Sequence, residues 1–412
     1  MKYRSLRKKF IVLGLAVAMA LTACSPDADA YKPVDYEVTD IQQEQNGSVS
    51  DNTVSTPPPQ GLMAISERYE SDGKMESYLT GEWIDTEIAT RRPMAVMIPN
   101  NRNALPQYGV SYADVIYEAP MEKCSCTRLM GIFQNYGDLE YIEPIRSSRH
   151  YFLLEALSYD AIYCNWGLAA AYVGPLINSN LVDNISASVA GINVGADEAF
   201  SRDKERQSLG YSLEYTGVMT LSGYNAAVSR LGYSTEYPTR NYTFPLQFAT
   251  DAFLAEYEDY QDVTIIYPGG NGNQKSPNGY SELNPYFEYN PEDRLYYRYQ
   301  NGGPHIDETN GEQLAVTNVI IKYVSGNVLD DSGYMNFNTF GFGEGVLFTN
   351  GKAIELTWKR NLPFNEDMDY DAGVYSQTRF YDAQTGEEVI LNKGKTWVCL
   401  VWDEYSSYTM YK

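Results

Sequence analysis

The second half of the chain is a succession of short strand-like runs, and this pattern limits the fold more than any other feature of the sequence. From about Val263 onward, apolar and aromatic residues alternate with polar ones between turns that contain Gly, Asn or Asp. The turn Asn290-Pro291-Glu292-Asp293 lies between two tyrosine-rich runs and predicts a β-hairpin. We therefore predict a largely antiparallel β-sheet domain over residues 261–412.

The first half combines strands with helices. Short apolar runs bounded by Gly, Pro or Asn predict strands at Met94–Ile98, Asp114–Glu118, Arg128–Phe133 and Ala161–Cys164. Apolar residues at helical spacing predict helices over His150–Leu157, with Ser148 as a cap, and over Ser222–Leu231. The expected fold class is mixed α+β: an α/β-type sandwich domain over residues 81–260, followed by the β-rich domain.

The N-terminus has the composition of an export signal. A basic block precedes the apolar run Phe10–Ala20, which is too short to span a bilayer permanently, and Leu21-Thr22-Ala23 precede Cys24. This order predicts a lipoprotein signal peptide over residues 1–23 and lipidation of Cys24; the alternative is an ordinary secreted protein in which Cys24 is incidental. Residues 24–80 are expected to hold the lipidated cysteine and a disordered linker.

The charge balance limits the partners that the chain can have. Removal of residues 1–23 takes away five basic residues and no acidic one, which moves the formal net charge from −23 to −28. Such a charge repels phosphate backbones, so no nucleic-acid partner is expected. The expected location is the extracytoplasmic face of the cell membrane, where the lipid anchor binds the membrane and a cell-wall glycan or an envelope protein is the expected partner.

A cluster of basic residues could bind an anion. Arg146, Ser147 and Arg149 lie directly before the predicted helix at His150, where the backbone amides and the positive helix end favour a carboxylate or phosphate. With Arg128 they form the candidate ligand-binding set. The alternative is a set of internal ion pairs with acidic residues of neighbouring segments.

Three further polar residues are candidates for contacts or for catalysis. Glu118 follows a predicted strand, and a carboxylate of this kind could act as an acid or a base. His305 and Asp307 are two residues apart, which in an extended segment places both side chains on one side. Such a pair could orient a proton shuttle or hold a cation, or it could simply pin a loop.

Two other motifs indicate neither a metal nor a cofactor. Cys124 and Cys126 have no second cysteine pair, and the chain has only two histidines, so no metal site is predicted. Gly341-Phe-Gly-Glu-Gly345 has the glycine content of a nucleotide-binding loop, but strand-like residues follow it and no Lys-Ser or Lys-Thr ends it. No cofactor is therefore expected.

The segments together resemble the YerB-like lipoproteins, a two-domain family of unknown function. The resemblance in the first half lies in Arg92-Pro93, Ala113-Asp114, Thr127-Arg128 and Pro144-Ile-Arg146-Ser147. In the second half it lies in Pro304-His305-x-Asp307, Trp358-Lys359, Thr378-Arg379-Phe380-Tyr381-Asp382 and Lys393-Gly394-Lys395-Thr396-Trp397. The resemblance implies a Gram-positive-type envelope lipoprotein with a mixed first domain and a β-rich second domain, and it transfers no catalytic residue.

Two functions follow as hypotheses. The first is an envelope lipoprotein that binds a glycan, peptide or protein in a cleft between its two domains, with the Arg146 and Arg149 region on an anionic group and Glu118, His305 and Asp307 as polar contacts. The 37 tyrosines, concentrated on β-rich stretches, favour glycan contacts only modestly because tyrosine is also common in strands. The second is a hydrolase or transferase acting on peptidoglycan or another polysaccharide, with Glu118 or Asp307 as acid or base.

Overall fold

A computed structural model describes residues 68–187, 196–237, 245–250, 254–271, 277–363 and 372–412. The predicted signal peptide, Cys24 and most of the predicted linker lie outside these residues. The folded part begins before the predicted boundary at residue 81, because Lys74–Glu76 pairs with Trp83–Asp85 and Leu79 is buried. Among the described residues, no helix is long and apolar enough to cross a membrane.

The first half contains all five α-helices of the described residues and ten of the strands. The helices are α1 Thr86–Ala89, α2 His150–Leu157, α3 Ala170–Ile177, α4 Lys204–Ser208 and α5 Leu221–Leu231. The strands are β1 Lys74–Glu76, β2 Trp83–Asp85, β3 Met94–Asn100, β4 Val115–Pro120, β5 Thr127–Phe133, β6 Tyr141–Ile142, β7 Ile162–Asn165, β8 Asn184–Ser186, β9 Phe200–Arg202 and β10 Gly217–Thr220.

The second half is built from strands and short 3₁₀ turns. Its strands are β11 Gln261–Asp262, β12 Ile265–Tyr267, β13 Tyr286–Asn290, β14 Leu295–Gln300, β15 Gly303–Pro304, β16 Ile306–Asp307, β17 Glu312–Gln313, β18 Ala315–Val316, β19 Asn318–Val324, β20 Gly326–Val328, β21 Met335–Phe337, β22 Gly341–Thr349, β23 Lys352–Arg360, β24 Arg379–Asp382, β25 Thr396–Trp402 and β26 Met410–Tyr411. The predicted mixed α+β fold with a β-rich second half is confirmed.

One central sheet of eleven strands joins the two halves. Its order is β11-β23-β22-β19-β25-β4-β5-β3-β7-β8, with β24 beside β23. The joining strand is β25, which pairs in parallel with β19 on one side and with β4 on the other. A strand near the C-terminus of the chain therefore lies in the middle of the sheet. The domain boundary between residues 260 and 261 stays a prediction.

Apolar side chains cover both faces of this sheet. Successive residues of β4 alternate between the two cores: Val115 and Tyr117 pack with helices α2 and α3, whereas Ile116 packs on the opposite side. The opposite side is covered by α5 and by a second antiparallel sheet with the order β15-β14-β13-β12-β26. Burial on both faces accounts for the near-continuous apolar sequence of the central strands.

The local predictions agree closely with the structure, apart from one helix cap. The hairpin forms as predicted, with Asn290 paired to Leu295. Helix α2 spans the predicted residues, but its N-cap is Arg149, whose side chain makes no capping bond. The Ser148 hydroxyl instead lies 2.8 Å from the hydroxyl of Tyr163. The predicted serine cap is therefore wrong, because Ser148 faces the sheet rather than the start of the helix.

Candidate functional site

The carboxyl ends of several parallel strands meet at one edge of the central sheet. Strand β3 pairs in parallel with β7, and β4 pairs in parallel with β25; β5 runs in the opposite direction between β3 and β4. Ligands of open α/β sheets bind outside the carboxyl ends of such strands. Arg128 belongs to this edge because it is paired with Pro99 near the end of β3 and with Ala119 near the end of β4.

The loop before helix α2 lies between β3 and β7 at the point where the pairing of these two strands has ended. The amide of Arg146 donates to the carbonyl of Met97 at 2.9 Å, and the amide of Trp166 donates to the carbonyl of Arg146 at 3.0 Å. The amide of Ser148 donates to the carbonyl of Gly167 at 2.8 Å. These backbone bonds hold Arg146, Ser147 and Arg149 at the same edge as Arg128.

Three guanidinium groups therefore lie close together; we call Arg128, Arg146 and Arg149 the arginine cluster. Arg128 is 5% exposed, and its Nη1 donates to the carbonyl of Ser147 at 2.6 Å. Burial, followed by the positive charges of Arg149 and Arg146, lowers the pKa of Arg128 to about 9. Such a depression is expected where like charges are held together away from water.

Two carboxylates contact the cluster and neutralise part of its charge. Arg149 forms an ion pair with Glu122, and Nη1 of Arg146 lies 2.9 Å from Oε2 of Glu214. Burial opposes ionisation of Glu122, but Arg149 and Arg128 outweigh it and lower the pKa of that carboxyl group. Arg202 is a further positive charge close to Arg146. Its guanidinium lies 3.6 Å from the ring centre of Trp166, and its pKa is lowered by burial and by the charge of Arg146.

One hydrogen-bond donor on each arginine of the cluster has no acceptor among the described residues. The Nε atoms of Arg128, Arg146 and Arg149 are buried and have no hydrogen-bond partner among the described residues. Most buried polar atoms in proteins are paired, so these three donors give the cluster a hydrogen-bonding capacity that the described residues do not use. The uncapped N-terminus of α2, beside Arg149, adds its positive end to the same field. The arrangement is chemically suited to holding an anion.

Aromatic rings surround the cluster, and Ser147 lies beside it. The guanidinium of Arg146 is 5.1 Å from the ring centre of Tyr215, and that of Arg149 is 5.0 Å from the ring centre of Tyr334. The hydroxyl of Ser147 donates to the carbonyl of Trp166 at 3.3 Å, which leaves its oxygen lone pairs available as acceptors. Sequence reasoning missed Trp166, Arg202, Glu214, Tyr215 and Tyr334, because no spacing rule relates them to the loop at residues 144–149.

Glu118 lies inside the protein rather than at the edge. Its carboxylate accepts hydrogen bonds from Nη2 of Arg298 at 2.7 Å and from Nε1 of Trp397 at 3.1 Å. The hydroxyl of Thr127 donates at 2.7 Å and the amide of Asn100 at 3.2 Å. The side chains of Glu118 and Arg298 are both fully buried. A carboxylate with four internal donors and no exposure cannot reach a substrate in this conformation, so its geometry gives no support to an acid or base role.

His305 and Asp307 hold the two halves together. Nε2 of His305 is 2.6 Å from Oε1 of Gln107, and burial lowers the pKa of the ring well below its usual range. The carboxylate of Asp307 accepts bonds from the amides of Gly109 at 2.9 Å and Ser111 at 2.7 Å. Both side chains are buried and pin the loop of the first half. Of the alternatives left open by the sequence, the structure favours the pinned loop.

The described residues contain no group of three or more His, Cys, Asp or Glu side chains that could hold a metal ion. Cys124, Cys126, Cys164 and Cys399 are free thiols. Burial raises the pKa of Cys124 to about 12, which keeps this thiol protonated and unreactive at neutral pH.

The fold and the site define the class: a two-part α+β protein with one sheet across both parts and a basic cluster at its carboxyl edge. The chain belongs to the YerB-like two-domain family of unknown function. Residues 79–229 match the model described as "Protein of unknown function (DUF3048) N-terminal domain", and residues 277–398 match the corresponding C-terminal domain. The resemblance inferred from the sequence motifs is thereby confirmed.

One curated relative and one solved structure are similar to the chain over most of its length. The relative, "Putative lipoprotein YerB" of Bacillus subtilis (strain 168), is 26% identical over 330 residues, covering 80% of this chain and 87% of its own. The crystal structure of the YerB protein from Bacillus subtilis superposes with a TM-score of 0.65 at 22% identity, over 82% of this chain and 99% of that one. The structural match establishes the fold alone.

Proposed function

We propose that this chain is a lipid-anchored extracytoplasmic binding protein whose arginine cluster holds an anionic group of a cell-envelope ligand. The location rests on the basic and apolar N-terminus with Cys24, and on the relative whose name describes a lipoprotein. The binding function rests on the cluster. The observation that carries it is the convergence of three guanidinium groups at the sheet edge, where Arg146 and Arg149 pair with Glu214 and Glu122 and both arginines lie close to Arg128.

Binding is favoured over catalysis by the positions of the candidate acids. A general acid or base must come within hydrogen-bond reach of the reacting group. Glu118 and Asp307, the residues on which a hydrolase or transferase would depend, are fully buried and accept internal hydrogen bonds. The arginine cluster lies at the sheet edge, where Arg146 keeps 19% of its side chain exposed.

The anion site is tested by titrating the full chain, in detergent, with inorganic phosphate in a calorimeter. Arg146→Gln and Arg149→Gln each remove one charged donor and should weaken phosphate binding about tenfold. Arg379→Gln is the matched control, because Arg379 pairs with Glu388 away from the cluster and its loss should leave binding unchanged. Equal affinity of folded Arg146→Gln, Arg149→Gln and wild-type protein would contradict the proposal.

The anchor is tested separately by labelling cells with radioactive palmitate. We expect label in the wild-type chain and none in Cys24→Ser, since the thiol of Cys24 is the proposed attachment point. The variant should also move from the membrane fraction to the medium. Equal labelling of both chains would show that Cys24 is not the lipidated residue.

A further inference from the structure

A second pocket lies at the same edge of the central sheet as the arginine cluster. It forms where β22 separates from β19, because the pairing of these strands ends at Lys322 and Gly345. Trp358 fills the gap between them. Its Nε1 donates to the carbonyl of Tyr323 at 3.0 Å and to that of Glu344 at 3.1 Å, so the indole bridges the two strands where their pairing has ended.

The pocket has a volume of about 210 Å³ and combines aromatic walls with a polar rim. Its lining residues include the aromatic Tyr323 and Phe342 and the polar Asn338, Glu344 and Asp403. Phe342 is 63% exposed, so its side chain is accessible to a ligand. The lining formed by the described residues includes two carboxylates and no lysine or arginine.

The glycine-rich motif at residues 341–345 shapes this pocket. A Cβ atom on Gly343 would lie 2.7 Å from the indole of Trp358, so a glycine is required where the strand crosses the ring. A Cβ on Gly345 would lie 2.4 Å from the carbonyl oxygen of Ile321. The motif that fails as a nucleotide-binding loop thus has a different role, since its glycines bring the strand close to Trp358 and place Phe342 at the rim.

The chemistry of the pocket suits a sugar ring. A pyranose has an apolar C–H face that can lie on an aromatic ring, and hydroxyl groups that can donate to carboxylate and amide oxygens. The two carboxylates would repel an anionic group placed directly in the pocket. A neutral sugar is therefore the complementary ligand, and any acidic group of that ligand must lie elsewhere.

The arginine cluster lies within reach along the same edge. Strand β5, which carries Arg128, is three strand spacings from β19 and four from β22, so Arg128 lies about 14–19 Å from the pocket. The hairpin of β20 and β21 borders both places: Asn338 follows it at the pocket, while Tyr334 within it lies under Arg149. A single extended ligand could contact both.

We infer that the ligand is an anionic glycan, with a neutral sugar in the Phe342 pocket and an acidic substituent on the arginine cluster. This inference rests on the proposed function, because it uses the arginine cluster as the anion site. It adds a second site and a substrate class. The pocket is acidic and the arginine cluster is basic, and the pocket lies about 14–19 Å from Arg128. The glycan would therefore lie with its neutral sugar at the pocket and its acidic group at the cluster.

The test is a length series of N-acetylglucosamine oligomers that carry a phosphate at the reducing end, titrated into the full chain. Affinity should rise about tenfold once the oligomer is long enough to reach both sites. Phe342→Ala should abolish that rise and leave the affinity for the phosphorylated monosaccharide unchanged. Tyr69→Ala is the matched control, because Tyr69 is 62% exposed and does not line the pocket.

The outcomes separate the two proposals. If every length binds with the affinity of the monosaccharide and Phe342→Ala behaves like wild type, the glycan inference is overturned while the anion site stands. If no phosphorylated ligand binds and Arg149→Gln has no effect, the proposed function fails as well. Because Phe342 is exposed, its replacement should not unfold the protein, and circular dichroism of the variant verifies this.

Discussion

His150 and His305, the two histidines of the chain, are both buried beside arginines. Nε2 of His150 lies 2.8 Å from Oδ1 of Asn336, and burial, aided by the charge of Arg149, lowers its pKa to about 4. Burial and Arg298 lower the pKa of His305 well below its usual range. Both rings are therefore neutral in the folded protein at pH values where the unfolded chain binds protons.

The free energy of unfolding should consequently depend on pH. Because the folded pKa of His150 is depressed, its contribution is fully present above pH 6.5 and is lost as the pH falls from 6.5 toward about 4. Urea titrations at several pH values between 5 and 6.5 give the slope of the free energy of unfolding against pH. This slope should be smaller in His150→Gln than in wild type by about 1 kcal/mol per pH unit. An unchanged slope would contradict the assignment.

At the residue level, the chemistry of a side chain was predicted better than its surroundings. Arg128, Arg146, Ser147 and Arg149 lie together, as the motif before α2 suggested, and their ligand-binding role stays a prediction. The sequence left ion pairing open as well, and Glu122 is such a partner of Arg149. Burial of Glu118 could not be predicted, because its partner Arg298 is far away in the chain and no local pattern relates the two.

Helix α2 is attached to the sheet by a buried set of charges. Glu155 of α2 places Oε1 at 2.9 Å from Nζ of Lys322 on β19, and Oε2 at 3.3 Å from Nη1 of Arg360 on β23. All three side chains are almost completely buried. Burial lowers the pKa of Lys322 to about 8, against the opposing effect of Glu155. One buried carboxylate therefore contacts two buried cations, one on each of two strands.

Removing this carboxylate should destabilise the fold strongly. Glu155→Gln removes the buried carboxylate that Lys322 and Arg360 both face, and we expect the free energy of unfolding to fall by about 3–5 kcal/mol in urea titrations. Glu205→Gln on α4 is the matched control; at an exposed helical position the same change should alter stability by less than about 0.5 kcal/mol. Similar effects of the two substitutions would contradict the role given to Glu155.

Elements set by local pattern were predictable, and elements set by distant pairing were not. The hairpin of β13 and β14 forms because its turn and alternation are encoded within a short segment. The predicted succession of strands in the second half includes β25, but no local pattern indicates the position of β25 in the sheet. It pairs in parallel with β4, from Thr396 opposite Val115, and the intervening chain contains no signal for that choice.

At the scale of the whole molecule, the insertion of β25 beside β4 makes both halves part of one sheet. The same insertion places the carboxyl ends of strands from both halves along one edge. The arginine cluster and the Phe342 pocket therefore share a surface although they belong to different halves of the sequence. The proposed extended ligand depends on this topology, because only a shared edge lets one ligand contact both halves.

NMR of protein labelled with ¹⁵N-arginine can observe anion binding at the arginine cluster itself. The Nε–H signals of Arg128, Arg146 and Arg149 can be assigned by single Arg→Lys variants and followed during a phosphate titration. We expect these three signals to shift together and saturate if the cluster binds phosphate, while the signal of Arg379 stays unchanged. Saturating phosphate that leaves all three signals in place would contradict anion binding at the cluster.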